Sequence, residues 1–274
     1  MIGISSIGAV SNLFTSEKSG IKMPVIFAGH GSPMNAVEDN EFTKKWFEIG
    51  NSIPKPKAIL SVSAHWLTNG TYATFAEKPK TIYDFYGFPE ILFQQKYDAP
   101  GSIELATSLQ NQITSPKILK DLDWGLDHGT WSVLIKMFPQ ADIPVVQLSI
   151  SGKESEQFHF DLGKKLQFLR ERGVLIFCSG NIVHNLRRIK WEGGTYDWAV
   201  EFDEKVKSLI DKRDFNSLIN WQSLGSSTEL SIPTNDHYLP LMYALGASDK
   251  DSKIDYFAEK VIMGSLSMRG LVIN

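Results

Sequence analysis

Four short runs of apolar, largely β-branched residues recur along the chain, at 24–28, 58–63, 144–150 and 174–179. Each is bounded by breakers and lacks a polar face, which is the pattern of strands buried on both sides. Between the runs the apolar positions change to helical spacing. Residues 41–50 place Phe42, Trp46, Phe47 and Ile49 on one side. Ser102 is a plausible cap for a helix over 102–113, with Ile103, Leu105, Ala106, Leu109 and Ile113 at helical intervals. A third helix over 156–172 repeats the pattern through Phe160, Leu162, Leu166 and Leu169, with basic residues in its last turn and Gly173 as its stop.

Strand alternating with helix predicts an α/β fold whose mostly parallel central sheet carries helices on both faces. The C-terminal residues differ. Residues 261–268 alternate in part, and Gly270 then precedes Leu271, Val272 and Ile273. This predicts one bent strand or a hairpin added antiparallel, making the sheet mixed. With no internal repeat and no Pro/Gly/Ser-rich linker, the expected organisation is a single domain over 23–274. Residues 1–22 read as a loosely ordered leader.

Composition narrows the classes. The chain has 274 residues, 42% hydrophobic and 22% charged, enough for a substantial core. A net charge of −3 leaves no basic surplus to track phosphates, so nucleic acid is a poor partner. No apolar stretch reaches the ~18–20 residues that span a bilayer. The first twenty residues lack a basic segment followed by a compact apolar one, so the cytoplasm is the expected location. Cys178 is the one cysteine; it lies inside an apolar run and reads as a buried small hydrophobe, not a nucleophile.

The histidines add chemistry through their positions. His30 follows the first run, His65 the second and His184 the fourth. Parallel strands bring their carboxyl ends to one crevice, which is where open α/β sheets bind ligands. Imidazoles aimed at one crevice suit Zn²⁺ or Fe²⁺ with a position left open. Gly29 and Gly31 relieve the backbone around His30, and Gly180 opens the turn before His184. His237 falls at a predicted helix start, with Asp236 as N-cap, Pro240 in the first turn and an end near Gly246. His128 lies in a predicted loop between Trp124 and Trp131 that reads as a pocket wall with one polar tip. His159, near Glu156 and Asp161, reads as a surface or capping residue. The aromatic run over 82–89, with Trp66 and Trp131, suits a flat aromatic substrate. Histidine spacing alone leaves both hydrolysis and oxygenation open.

Several motifs carry a resemblance. They are Gly29-His30-Gly31-Ser32-Pro33-Met34, Ser63-Ala64-His65-Trp66, Asp127-His128-Gly129-Thr130-Trp131, Ser179-Gly180-Asn181-Ile182-Val183-His184-Asn185-Leu186 and His237-Tyr238-Leu239-Pro240. In this order, from about residue 23 to the C-terminus, they resemble the signatures of the DOPA-type extradiol aromatic-ring-opening dioxygenases, the class III, LigB-like family. Residues 81–89 resemble that family's aromatic loop.

The resemblance implies a LigB-like mixed α/β fold and one divalent metal per chain. Fe(II) is expected for ring cleavage and Zn²⁺ in the protein as isolated. It implies opening of a DOPA-like catechol with O₂ to a muconic semialdehyde. His30, His65 and His237 correspond to metal ligands. His184 corresponds to a fourth ligand or the acid/base residue, and His128 to a second catalytic or substrate-contacting group. Tyr83, Asp84 and Trp131 fall on the substrate side. Many ring-cleaving members of the wider superfamily use two histidines and a glutamate. His237 at the third position leaves the site more positive, favouring Zn²⁺ or a tightly bound catecholate. The competing readings are a zinc hydrolase on the same site and a non-enzymatic binding protein of the same fold. A monomer or small homo-oligomer is expected.

Overall fold

The computed structural model describes Phe14 and residues 19–274. The expectation of a loose leader over 1–22 lies mostly outside the described residues. Phe14 itself is buried in the core, and its carbonyl accepts a 3.1 Å hydrogen bond from Ser108 Oγ.

The strands among the described residues are β1 (Val25–Gly29), β2 (Ala58–Thr68), β3 (Thr71–Thr74), β4 (Ile118–Asp121), β5 (Val145–Ser151), β6 (Val174–Gly180), β7 (Ile254–Phe257), β8 (Val261–Ile262), β9 (Leu266–Ser267) and β10 (Gly270–Ile273). Eight form one sheet in the order β4-β3-β5-β2-β6-β1-β10-β7. The four predicted runs are its central neighbours β5, β2, β6 and β1, paired parallel throughout. Every residue of β1, β5 and β6 is buried, which is why these runs carry no polar face. β3 pairs antiparallel with β5, and β10 antiparallel with β1, so the sheet is mixed.

Alternate residues of the sheet feed two cores. On one face pack helices Ile103–Gln112, Glu156–Leu166, Asp197–Asp211 and Leu239–Gly246. On the other pack Glu41–Ser52 and His128–Met137. The three predicted helices occur. Asn40 caps the first through Phe42 and Thr43 N–H, and Ser102 caps the second. The third tightens from α to 3₁₀ over its last turns and stops at Gly173, whose φ of 82° is left-handed.

Two expectations about elements need correction. Residues 128–137 form a helix, not a loop, capped by the Asp127 side chain. Its first seven residues are all buried, so no polar face gives it a helical period. At the C-terminus a hairpin does form, but β8 and β9 make their own two-stranded sheet and only β10 joins the main one. Arg269, fully buried between β9 and β10, ties this region to helix Asp197–Asp211: its Nε donates to Asp203 Oδ2 at 2.8 Å. The same guanidinium pairs with Glu204 and Glu259.

Candidate metal centre

His30 leaves the end of β1 directly, its backbone N–H bonded to Gly180 O across to β6. His65 arrives differently. The predicted end of its strand at Ser63 is wrong: β2 continues to Thr68, and its register against β5 shifts between Val62 and Leu67. Such an irregularity re-aims side chains locally. It turns His65 to the crevice while its neighbour Trp66 faces away, stacked on Trp124 at 5.4 Å.

His237 is brought in by a segment beyond the sheet. Asn181 N–H donates to His237 O at 2.8 Å, and a Cβ on Gly180 would lie 2.3 Å from that oxygen. Close approach of another backbone, more than freedom in a turn, is what requires glycine there. Asp236 is not the N-cap of helix Leu239–Gly246; Tyr238 holds that position without a side-chain bond. The Asp236 carboxylate instead bonds His237 Nδ1.

The three rings form a near-equilateral triangle. Centroid separations are 5.0 Å for His30–His65, 5.2 Å for His30–His237 and 4.9 Å for His65–His237. One nitrogen from each lies within 4.8 Å of the others. His30 Nε2 and His65 Nε2 are 3.2 Å apart. Behind the triangle each Nδ1 faces an oxygen. For His30 it is Ser179 Oγ at 2.9 Å, for His65 Asp84 Oδ2 at 3.2 Å, and for His237 the Asp236 carboxylate.

These outer contacts fix the protons. Carboxylates only accept, so Nδ1 of His237 and of His65 carries hydrogen. Ser179 donates to Gly129 O at 2.5 Å, which leaves its oxygen to accept from His30 Nδ1. All three Nε2 lone pairs then point inward, and His237 Nε2 is buried without a partner. Facing lone pairs at this range are repulsive unless a cation lies between them. The donor set and its outer supports fit a divalent metal such as Zn²⁺ or Fe(II). Burial, then the neighbouring imidazoles, push His30 and His237 well below the ordinary imidazole value, keeping them neutral as ligands must be.

His184 lies outside this triangle. Its ring stacks on His237 at 3.5 Å and 5°, and its backbone N–H donates to Ser231 O at 2.9 Å. Burial takes its pKa down to about 4. His128 begins its helix with its ring centroid 3.8 Å from that of His65 and its Nδ1 3.0 Å from Asp84 Oδ2. Burial lowers its pKa as well, opposed by Asp84.

The residues predicted on the substrate side have other engagements. Asp84 Oδ1 accepts the His128 backbone N–H at 2.9 Å and Oδ2 serves His65 and His128. Burial pushes its carboxyl up, but His128 and His65 outweigh that and hold it below the carboxylate range. Tyr83 hydroxyl donates to Gln95 O at 2.5 Å. Trp131 is fully buried, its indole N–H on Ile82 O at 2.9 Å, so it braces the aromatic loop from beneath and is no cleft wall. The loop's aromatic beside the histidines is Phe85, edge-on to His128 at 5.5 Å. Asp84 and Asp236 also offset the positive character expected of an all-histidine ligand set.

His159 corrects a further expectation. It is fully buried, not at the surface, with Nδ1 2.9 Å from Tyr243 Oη. Cys178 is buried as expected, its thiol pushed up by desolvation.

The sequence matches, over residues 24–269, the family model of the catalytic LigB subunit of aromatic ring-opening dioxygenase. The chain belongs to the LigB family. Among curated relatives of this LigB-family enzyme is the 4,5-DOPA dioxygenase extradiol of Escherichia coli (strain K12). It is 47% identical over 262 residues, covering 93% of this chain and 96% of that one. The 4,5-DOPA dioxygenase extradiol of Beta vulgaris is 36% identical over 236 residues, covering 84% and 88%. A crystal structure of an uncharacterized protein from Escherichia coli K12 superposes with a TM-score of 0.82 at 43% identity, over 92% of this chain and 100% of that one. The LigB-family fold is thus this single α/β domain. Among the described residues, no helix is long and apolar enough to cross a membrane.

Proposed function

We propose that this LigB-family protein is a cytoplasmic extradiol dioxygenase. It opens the ring of a DOPA-like catechol with O₂ and releases a muconic semialdehyde. The observation that carries the reading is the convergence of three imidazoles, His30, His65 and His237, each backed by an oxygen at Nδ1. The catalytic domain is residues 23–274.

His30, His65 and His237 would hold the metal, and His184 is a proton-transfer group, not a fourth ligand. A divalent metal bound there supplies Lewis acidity toward the catechol oxygens and, as Fe(II), electrons for O₂. Burial keeps His184 a neutral imidazole at pH 7, so it serves as a transient carrier that accepts a catechol proton and readily gives it up. Its stacking on His237 fixes where that proton is taken. His128, held by Asp84, is the second proton-handling group. Phe85 and the loop over 81–89 shield the ring from water.

The test is O₂ uptake by protein reconstituted anaerobically with Fe(II), on a catechol panel including L-DOPA. The expected result is one O₂ consumed per catechol and a yellow product. Silence across the panel overturns the proposal. O₂-independent turnover of esters or amides by the zinc form would favour the hydrolase reading.

A further inference from the structure

We infer that Ser179 is a positioning residue whose hydroxyl sets the tautomer of His30. This deepens the metal-site reading above and rests on it. Ser179 lies on β6 opposite Ala28, one residue before the Gly29–Gly180 pair where β1 and β6 end. It is fully buried, as is His30, so water is not available to stand in for a lost partner.

The argument is a count of hydrogens. A serine hydroxyl has one proton. Gly129 O, 2.5 Å from Ser179 Oγ, has none to give, so the serine proton lies on that line. His30 Nδ1, 2.9 Å from the same Oγ, must therefore donate. A neutral imidazole has one N–H, so Nε2 is left bare and aimed at His65 Nε2. Removing the hydroxyl leaves a buried Nδ1–H with no acceptor. The proton then gains by moving to Nε2, where His65 Nε2 can accept it, and that tautomer cannot ligate.

His30 differs in this from its two partners. His65 and His237 are backed by carboxylates, which accept under any rearrangement of protons. His30 is backed by a hydroxyl that accepts only because Gly129 takes its hydrogen. Gly129 in turn sits where a Cβ would come within 2.5 Å of Ser63 Oγ and 2.8 Å of His65 Cδ2. The carbonyl that directs Ser179 is thus seated against the strand that supplies His65. The first turn of helix His128–Met137 acts on His30 through Ser179.

The test combines ¹⁵N NMR of metal-free protein with Zn²⁺ affinity from chelator competition, on wild type, Ser179→Ala and Ser179→Thr. Wild-type His30 is expected to carry its proton on Nδ1. Ser179→Ala is expected to move it to Nε2 and to weaken Zn²⁺ binding roughly 10–100-fold, with the melting temperature of the metal-free protein little changed. Ser179→Thr, which keeps the hydroxyl, is expected to restore both. Two results would overturn the inference: an Nε2-protonated His30 in the wild type, or Ser179→Ala with wild-type affinity and tautomer. If wild type takes up no metal, the metal-site reading fails, and the wild-type tautomer still decides the role of Ser179.

Discussion

At the scale of single residues, the ligand and proton-transfer roles separate experimentally. His30→Ala and His65→Ala should each abolish metal retention while the circular dichroism spectrum stays native; wild-type metal content in either would contradict the ligand set. His184→Gln should keep the metal and lose roughly 10²–10⁴ in kcat, the usual contribution of a general acid or base. Metal loss in that variant would instead make His184 a ligand. Asp236→Ala should weaken metal binding roughly 10–100-fold, and Asp236→Asn less, because the amide oxygen still accepts from Nδ1. His30, His65 and His184 were legible because each follows a recognisable apolar run, and His237 because it stands at a predicted helix start. Their outer partners were not. Asp236 before a helix reads equally well as a cap, and Ser179 inside a buried strand looks like filler until Gly129 is seen beside it.

At the scale of elements, the crevice depends on two close approaches. Gly180→Ala would drive a Cβ into His237 O, now 2.3 Å from its ideal position. Overpacking of this kind costs roughly 1–3 kcal/mol, so both the melting temperature and metal affinity should fall; an unchanged affinity would show that the His237 segment adjusts freely. The sequence was most readable where an element has a single strong reason to exist. The central strands are apolar because both faces are covered, and three helices carry caps and stripes. Legibility failed for the four-residue strands β3, β4 and β7, which are too short for a pattern. It failed also for helix His128–Met137, which is too buried to have a stripe. The irregularity in β2 was invisible because it depends on pairing with β5 and not on composition.

At the scale of the whole molecule, buried neutral histidines make stability depend on pH. His159 lies outside the metal centre and burial lowers its pKa from ~6.5 to about 4. Below pH 6.5 the unfolded chain takes up a proton that the folded protein refuses. Its contribution is therefore complete above that pH and is lost as pH falls toward 4, by about 3 kcal/mol. Denaturant titrations of metal-free protein at pH 7 and pH 4.5 should show this loss, and His159→Gln should lessen it. Equal pH dependence in the two proteins would refute the assignment.

The triangle of imidazoles has a consequence for how the protein is made. Its corners stand at residues 30, 65 and 237, just past the end of β1, within β2 and on a segment before helix Leu239–Gly246, so no fragment or partly folded intermediate owns the site. A cation that binds there recognises only the finished fold and adds about 2.7 kcal/mol of stability at a hundredfold excess over Kd. Metal uptake during refolding is then a reporter of completion, trailing the recovery of secondary structure.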